Sequence, residues 1–227
     1  MLVLGTNLDD KQTSIRKRIH KISMKKAIIF DSDDTIFHSN KLGLITLKEI
    51  CKKNNVPFSK KKYLGMTGKS RSDKARILFG DKNKIWAEWN KAYEDGYQDA
   101  ATDLPGAINT LKKLKEKGII LFIFSTKKSN LIKQALNKYK VKDLFSEIIG
   151  GDSIPKKPNV FLFEQILKQY SLEKEEVLLV GDSKVDSLAA LHLFVDFTQI
   201  AYFEQEPLPL ANKVITSLNE LIGELNL

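Results

Sequence analysis

Hydrophobic positions along the chain form short runs that alternate with longer segments of helical periodicity. Five short runs have the length and β-branched content of buried strands. They are AIIF (27–30), IILFIF (119–124), EIIG (147–150), VLLV (177–180) and TQIAYF (198–203). Apolar residues recur every three or four positions in 108–118, 129–139, 160–170 and 186–194. This alternation predicts an α/β fold, a Rossmann-like parallel sheet with helices on both faces.

Residues 38–103 interrupt that alternation, since only helix-like segments are found there, at about 42–54, 59–64, 70–79 and 83–98. Four aromatic residues at helical spacing are interpreted as the core of a small helical unit rather than as a ligand cage; they are Trp86, Trp89, Tyr93 and Tyr97. We therefore predict an α/β core built from 24–37 and 104–227, with an all-helical insert, 38–103, after the first strand. Residues 1–23 are predicted to be a non-essential extension.

Composition narrows the choice of partners and compartment. The 227 residues carry a formal net charge of +9, but the basic residues are mostly lysine and are dispersed, so a nucleic-acid partner is not favoured. Cys51 is the only cysteine, which excludes an internal disulfide. No apolar run reaches the length of a membrane span, and no secretory signal is recognisable. We therefore expect a cytoplasmic protein; the sequence does not indicate its oligomeric state.

Polar side chains follow four of the predicted strands at the point where each strand ends. The sets are Asp31, Asp33 and Asp34; Ser125 and Thr126; Asp152, Lys156 and Lys157; and Asp182, Ser183 and Asp186. Because the carboxyl ends of parallel strands meet at one edge of a sheet, these sets are expected to form one site. Clustered carboxylates are stable around a divalent cation, and oxygen-only ligands favour Mg²⁺. A lysine and a hydroxyl beside them would hold phosphate oxygens.

These groups suit phosphoryl transfer. One aspartate can attack phosphorus and form an aspartyl-phosphate. A second aspartate two residues later can protonate the leaving oxygen and then activate water.

The four strand ends resemble the four motifs of the haloacid dehalogenase (HAD) superfamily. DSDDT (31–35) is similar to its DxDxT motif, and Ser125 to the hydroxyl of its second motif. Lys157-Pro158 is similar to the third motif, and GDSKVD (181–186) to the fourth, GDxxxD. LPGAINTLKKLKEKG (104–118) resembles a stretch of the phosphoglycolate-phosphatase-like branch, which carries a helical cap. The resemblance covers roughly residues 25 to 225.

The resemblance implies a role for each acidic residue. Asp31 would be the nucleophile and a Mg²⁺ ligand. Asp33 would be the general acid and base, with its backbone carbonyl also on the metal. Asp182 would bind the metal, and Asp186 would bind it or orient its ligands.

The resemblance also implies phosphate contacts and a cap. Ser125 and Lys157 would hold the phosphoryl oxygens, and the further contacts predicted with them are Ser32, Asp34 and Thr126. The helical insert would close over the site, exclude water and select the substrate. Lys69 and Arg71, in the loop GMTGKSRSD, are predicted to meet a carboxylate or second phosphate of the substrate. The alternative is a solvated helix start capped by Ser70.

Two positions depart from the pattern of the branch. Asp34 stands where glycine is usual; we expect activity to survive, with backbone N–H groups still meeting phosphate, or with the Asp34 side chain turned to solvent. His38 stands where the branch often has aspartate, and is interpreted as a polar residue of the cap hinge or as a substrate contact.

The expected function is a Mg²⁺-dependent phosphatase acting on a small phosphorylated metabolite, such as phosphoglycolate or a sugar phosphate. Asp33 favours phosphoester chemistry, because dehalogenases of the superfamily lack it. Gly43 weighs against a phosphomutase, whose relatives carry histidine there. The remaining alternatives are a phosphomutase or phosphonate-cleaving enzyme, a non-catalytic phosphate-binding protein and a nucleic-acid end phosphatase.

Overall fold

The computed structural model describes residues 24–66, 69, 71–202 and 206–225, so the predicted extension, 1–23, lies outside the described residues. A six-stranded parallel sheet forms the centre of the core, in the order β5-β4-β1-β6-β7-β8. Its strands are β1 (Ala27–Phe30), β4 (Ile120–Phe124), β5 (Phe145–Ile149), β6 (Val177–Gly181), β7 (Asp196–Ile200) and β8 (Lys213–Ile215). The predicted fold class is confirmed, and the first strand of the core is central.

Helices cover both faces of this sheet because successive side chains of a strand point to opposite faces. Ile28 and Phe30 of β1 belong to one apolar cluster, and Ala27 and Ile29 to another. The first cluster includes residues of α5 (Ala107–Glu116), α6 (Ser129–Lys138) and α9 (Glu220–Glu224). The second includes residues of α7 (Phe161–Gln169) and α8 (Lys184–Leu193). Such two-sided burial explains why the strands read as continuous apolar runs.

The insert consists of four helices: α1 (Asn40–Lys53), α2 (Lys60–Leu64), α3 (Arg71–Phe79) and α4 (Asn83–Ala100). It has its own apolar cluster, which includes Leu47, Phe79 and Trp89. Trp89, Tyr93 and Tyr97 are buried as predicted, whereas Trp86 is 37% exposed, so its assignment to the core was wrong.

Two short strands join the insert to the core, β2 (Phe37–His38) and β3 (Thr102–Asp103), and they pair antiparallel. The expectation of a purely helical segment over 38–103 was therefore wrong at its two ends. Strands of two residues carry no periodic signal in the sequence. They pair because the segment that leads from the core into the insert lies beside the segment that leads back. Within the described ranges, no helix combines the length and the apolar composition needed to cross a membrane.

Candidate active site

The loop after β1 turns tightly at the carboxyl edge of the sheet. The Asp31 amide donates to Val180 O at 2.9 Å, and the amides of Ile36 and Phe37 both donate to Ser32 O. Asp34 lies in the left-handed region, with φ of 54°, where glycine is favoured and aspartate is tolerated better than most residues. This turn directs three carboxylates away from the sheet in different directions.

The Asp34 carboxylate does not point to solvent, because Asp34 is only 6% exposed. That sequence alternative was wrong. Asp34 Oδ1 lies 3.2 Å from Nδ1 of His38, which belongs to β2 at the junction with the insert. Burial raises the pKa of Asp34, although the hydrogen bond with His38 lowers it.

Lys157 holds two carboxylates of the site together. Its ammonium donates to Asp31 Oδ1 at 3.2 Å, to Phe124 O at 2.5 Å and to Asp186 Oδ1. Asp31, Lys157 and Asp186 are all buried. Burial raises the pKa of Asp31 to about 7, against the lowering effect of Lys157, and the charges of Asp186 and Asp33 add to the rise.

Asp31, Asp182 and Asp186 offer a set of oxygen donors to a metal ion. One carboxylate oxygen from each residue lies within 4.8 Å of the other two. Burial, followed by the charges of Asp186 and Asp31, raises the pKa of Asp182 well above its usual range. The Lys157 ammonium contacts Asp31 and Asp186, and a divalent cation would offset the negative charge that remains in the cluster. The donor set, oxygen only, fits Mg²⁺.

Asp186 is also fixed by the start of α8. Ser183 is the N-cap residue, and its backbone N–H donates to Asp186 Oδ2 at 2.8 Å. The Ser183 hydroxyl donates to the same oxygen. Because Asp186 Oδ1 accepts from Lys157, the two oxygens of Asp186 have defined partners, as an orienting residue requires.

The Asp33 carboxylate points away from this cluster, toward the insert. It accepts hydrogen bonds from Ser39 Oγ at 2.6 Å and from Tyr97 Oη at 3.0 Å, and Lys127 Nζ lies 2.5 Å from its other oxygen. Burial would raise the pKa of Asp33, but the Lys127 charge and the three hydrogen bonds lower it overall. Asp33 therefore connects the core to both the first and the last helix of the insert.

Three partners of Asp33 were missed from the sequence. Lys127 follows Ser125 by two residues, so a longer survey of the chain after β4 would have found it. Tyr97 was interpreted as core only, yet its buried ring also presents a hydroxyl to the site. The role of Ser39 depends on how the insert meets the core, which the sequence does not display.

Ser125 lies beside the first loop, as its position after β4 predicts. Its hydroxyl is 2.8 Å from that of Ser32, and it accepts a hydrogen bond from the Lys127 amide at 3.3 Å. Asp152 is placed differently, because its carboxylate accepts from the amide and hydroxyl of Ser129 and so caps α6. Asp152 thus lies at the sheet edge without joining the carboxylate cluster.

Two adjoining cavities lie over these residues. The smaller, about 50 Å³, is lined by Asp31, Asp182 and Lys157 among others. The larger, about 440 Å³, lies between the insert and the core. Four residues line both cavities: Asp33, Lys69, Lys74 and Thr126. The structure thus brings Thr126 and the exposed Lys69 to the site, together with Lys74, which the sequence did not reveal.

Arg71 lines the larger cavity from the start of α3. Its guanidinium lies 3.4 Å from the centre of the Tyr93 ring and donates to Asn90 Oδ1 at 3.0 Å. Arg71 is therefore held in the cavity wall, as the sequence interpretation required. Ser70, the capping residue of the alternative, lies outside the described residues.

Comparisons with known proteins agree with this architecture. The sequence model of the haloacid dehalogenase-like hydrolases matches residues 28–200. A phosphoglycolate phosphatase from Vibrio vulnificus (strain CMCP6) is 28% identical over 179 residues, which cover 73% of this chain and 78% of the relative.

Two solved structures are similar in fold. A predicted phosphoglycolate phosphatase from Haemophilus somnus 129PT superposes with a TM-score of 0.78 at 23% identity, covering 89% of this chain and 99% of the other. A HAD-type hydrolase from Bacillus subtilis, bound to magnesium, gives a TM-score of 0.71 at 18% identity, with coverage of 90% and 100%.

Proposed function

Because the chain belongs to the haloacid dehalogenase-like hydrolases, we propose that it is a Mg²⁺-dependent phosphatase of small phosphorylated metabolites. One observation carries the proposal: the buried Asp31 carboxylate contacts Lys157 and lies in an oxygen cluster with Asp182 and Asp186. The relative from Vibrio vulnificus supports a phosphoester substrate of the phosphoglycolate type, as does the larger cavity, which has room for a sugar phosphate.

In the proposed reaction, a carboxylate oxygen of Asp31 attacks phosphorus and the bond to the leaving oxygen breaks. Asp33 gives its proton to that oxygen, and the alcohol departs. Asp33 then takes a proton from water, which attacks the aspartyl-phosphate and releases inorganic phosphate. Lys157 and Ser125 hold the phosphoryl oxygens, with Ser32, Asp34 and Thr126 nearby in the first two loops. The lowered pKa of Asp33 favours its role as the base of the second step and opposes its role as the acid of the first, so Asp33 must take up a proton before the leaving oxygen departs.

Mg²⁺ would be held by Asp31, Asp182, Asp186 and the backbone carbonyl of Asp33, and would offset negative charge on the phosphoryl oxygens. The magnesium in the Bacillus subtilis structure supports this choice of metal. The helical insert would act as the cap, with Tyr97 and Ser39 linking it to Asp33.

Packing around Gly43 argues against a phosphomutase. A Cβ atom at Gly43 would lie 2.0 Å from the hydroxyl oxygen of Tyr63, so α1 has no space here for a histidine side chain. The presence of Asp33 favours a phosphoester over a halide substrate. A cytoplasmic enzyme that acts on metabolites rather than on nucleic acid stays our prediction.

Phosphate release from p-nitrophenyl phosphate near neutral pH tests the proposal. Wild type with Mg²⁺ should turn over and wild type with EDTA should not, while Asp31→Asn with Mg²⁺ should lose on the order of 10⁴-fold or more in kcat. Circular dichroism should show the Asp31→Asn variant folded, since it removes a buried charge and leaves the size of the side chain unchanged.

If the aryl ester is not cleaved, a panel of phosphorylated metabolites extends the test, with Asp34→Gly beside wild type. Turnover of Asp31→Asn at the wild-type rate would contradict the role of Asp31. Absence of phosphate release from every ester, in folded protein with Mg²⁺, would contradict the phosphatase itself.

A further inference from the structure

Lys74 is a buried lysine that forms no salt bridge among the described residues. Only 9% of its surface is exposed, although lysine is almost never buried unless it is paired. Its ammonium lies 4.8 Å from the centre of the Tyr63 ring, and neither a salt bridge nor a hydrogen bond of Lys74 is found in the described part of the chain. Burial lowers its pKa to about 8 and the nearby charge of Lys127 adds to the lowering, while the charges of Asp33 and Asp34 oppose it.

The acidic groups around the larger cavity are already engaged. Asp33 pairs with Lys127, and Asp152 caps α6 through Ser129. Asp34, which lines the smaller cavity with Lys74, is hydrogen-bonded to His38. Glu94, beside the cavity, pairs with Lys128 at 2.6 Å. Lys74 and Arg71 therefore present positive charge to the cavity with no carboxylate bound to either of them among the described residues.

The sizes of the two cavities indicate what reaches Lys74. The carboxylate-lined cavity, about 50 Å³, is far smaller than the adjoining cavity of about 440 Å³. The remainder of a substrate, beyond its phosphoryl group, must extend into this larger cavity. Lys74 lines both, so it lies at the passage between the phosphoryl group and the leaving group.

We propose that the leaving group of the substrate carries a second anionic group, a carboxylate or a second phosphate, which binds Lys74 with Arg71 beside it. This inference rests on the proposed phosphatase activity and specifies its substrate class. An anionic leaving group would form an ion pair with the Lys74 ammonium. A neutral leaving group would leave that ammonium buried without a partner. Lys74 is then a residue that determines specificity, and the Asp31 chemistry is common to both kinds of substrate.

Matched pairs of substrates test the inference, because the two members of each pair differ in one anionic group. For a carboxylate they are 2-phosphoglycolate against 2-hydroxyethyl phosphate, and 6-phosphogluconate against glucitol 6-phosphate. For a second phosphate the pair is fructose 1,6-bisphosphate against fructose 6-phosphate. The ratio of kcat/KM within each pair is measured for wild type, Lys74→Met, Lys74→Arg and Lys48→Met. Lys48→Met removes the same charge from an exposed position on α1.

Wild type should prefer the anionic member of at least one pair by roughly 10- to 100-fold, as expected for a hydrogen bond to a charged group. The substrate pair that shows this preference identifies the second anionic group as a carboxylate or as a phosphate. Lys74→Met should bring the ratio close to one, Lys74→Arg should retain part of it, and Lys48→Met should leave it unchanged. Both kcat/KM values of a ratio are measured on one preparation of a variant. Partial unfolding of that variant therefore lowers both values equally and leaves the ratio unchanged.

The contrary results are distinct. Equal kcat/KM within every pair for wild type would overturn the inference and leave the phosphatase standing. If Lys74→Met kept the preference for the anionic substrate, Lys74 would not be the residue that determines it. Absence of phosphate release from all six esters and from p-nitrophenyl phosphate would overturn the proposed function and the inference together, whereas cleavage of p-nitrophenyl phosphate alone would overturn only the inference.

Discussion

At the scale of single residues, Asp34 and His38 form a pair between the loop after β1 and the strand β2, which leads into the insert. The hydrogen bond to Asp34 is the main reason why the pKa of His38 is raised from its usual 6.5. A histidine with a raised pKa stabilises the folded state fully below its unfolded pKa, and this contribution is lost as pH rises through the folded pKa. The pair therefore stabilises the junction between the core and the insert most on the acid side of neutrality.

Replacing the carboxylate should move the titration of His38. In Asp34→Asn we expect the pKa of His38 to fall toward 6.5, as followed by NMR of the histidine ring protons across pH 5 to 9. Asp143→Asn, which removes an exposed carboxylate elsewhere, is the control and should leave His38 unchanged. An unchanged pKa in Asp34→Asn would show that Asp34 does not bind His38.

The sequence could predict the residues whose place depends on one strand alone. Asp31, Ser125, Lys157 and Asp182 each follow a strand end, and parallel pairing brings such ends together without further information. Lys74 could not be found this way, because its burial results from the packing of α3 against Tyr63 and the core. The same holds for Tyr97, whose helical spacing indicates a buried ring but not the destination of its hydroxyl.

At the scale of secondary structure elements, the contact between α1 and α2 depends on Gly43. A Cβ there would lie 2.0 Å from Tyr63 Oη and 3.1 Å from Cζ. Gly43→Ala should raise the free energy of unfolding by about 1 kcal/mol through the higher helix propensity of alanine. Overpacking against the buried Tyr63 ring should lower it by about 1–3 kcal/mol. Thermal or urea unfolding measures the net effect.

Two further variants isolate the clash. Gly43→Ala combined with Tyr63→Phe should lose less stability than the sum of the single changes, because the nearest atom is gone. Gly223→Ala in α9 is the matched control; its Cβ would meet no atom within 4 Å, so stability should stay equal or rise. If Gly43→Ala were as stable as Gly223→Ala, the close packing of α1 on α2 would be wrong.

Most elements were predicted to within a few residues, including the four-residue β1 and the five-residue α2. β8 and α9, three and five residues long, were missed; neither is long enough to display a period by itself. β7 begins at Asp196 and ends at Ile200, whereas the sequence placed it at 198–203. Apolar content alone does not show where a strand leaves the sheet, since that depends on its neighbour's hydrogen bonds.

At the scale of the whole molecule, the carboxylate cluster should link stability to both pH and metal. The pKa values of Asp31 and Asp182 are raised, so the folded state binds more protons than the unfolded state between their usual value near 3.8 and the folded value. In this window the contribution of these groups to stability falls as pH rises. At pH 7.5 the carboxylates of the cluster therefore carry more negative charge than at pH 5.5. A bound cation then offsets a larger repulsion between them.

Mg²⁺ should consequently raise the Tm of the wild type more near pH 7.5 than near pH 5.5, where protons still occupy part of the cluster. A ligand that binds only the folded state at 100 times its Kd contributes about 2.7 kcal/mol. Differential scanning fluorimetry with MgCl₂ against EDTA, at matched ionic strength, measures the shift. Asp182→Asn should lose most of it, whereas Asp152→Asn, which changes a carboxylate outside the cluster, should keep it. Equal shifts at both pH values, unaltered in Asp182→Asn, would mean that Mg²⁺ binds elsewhere and that the cluster needs another explanation.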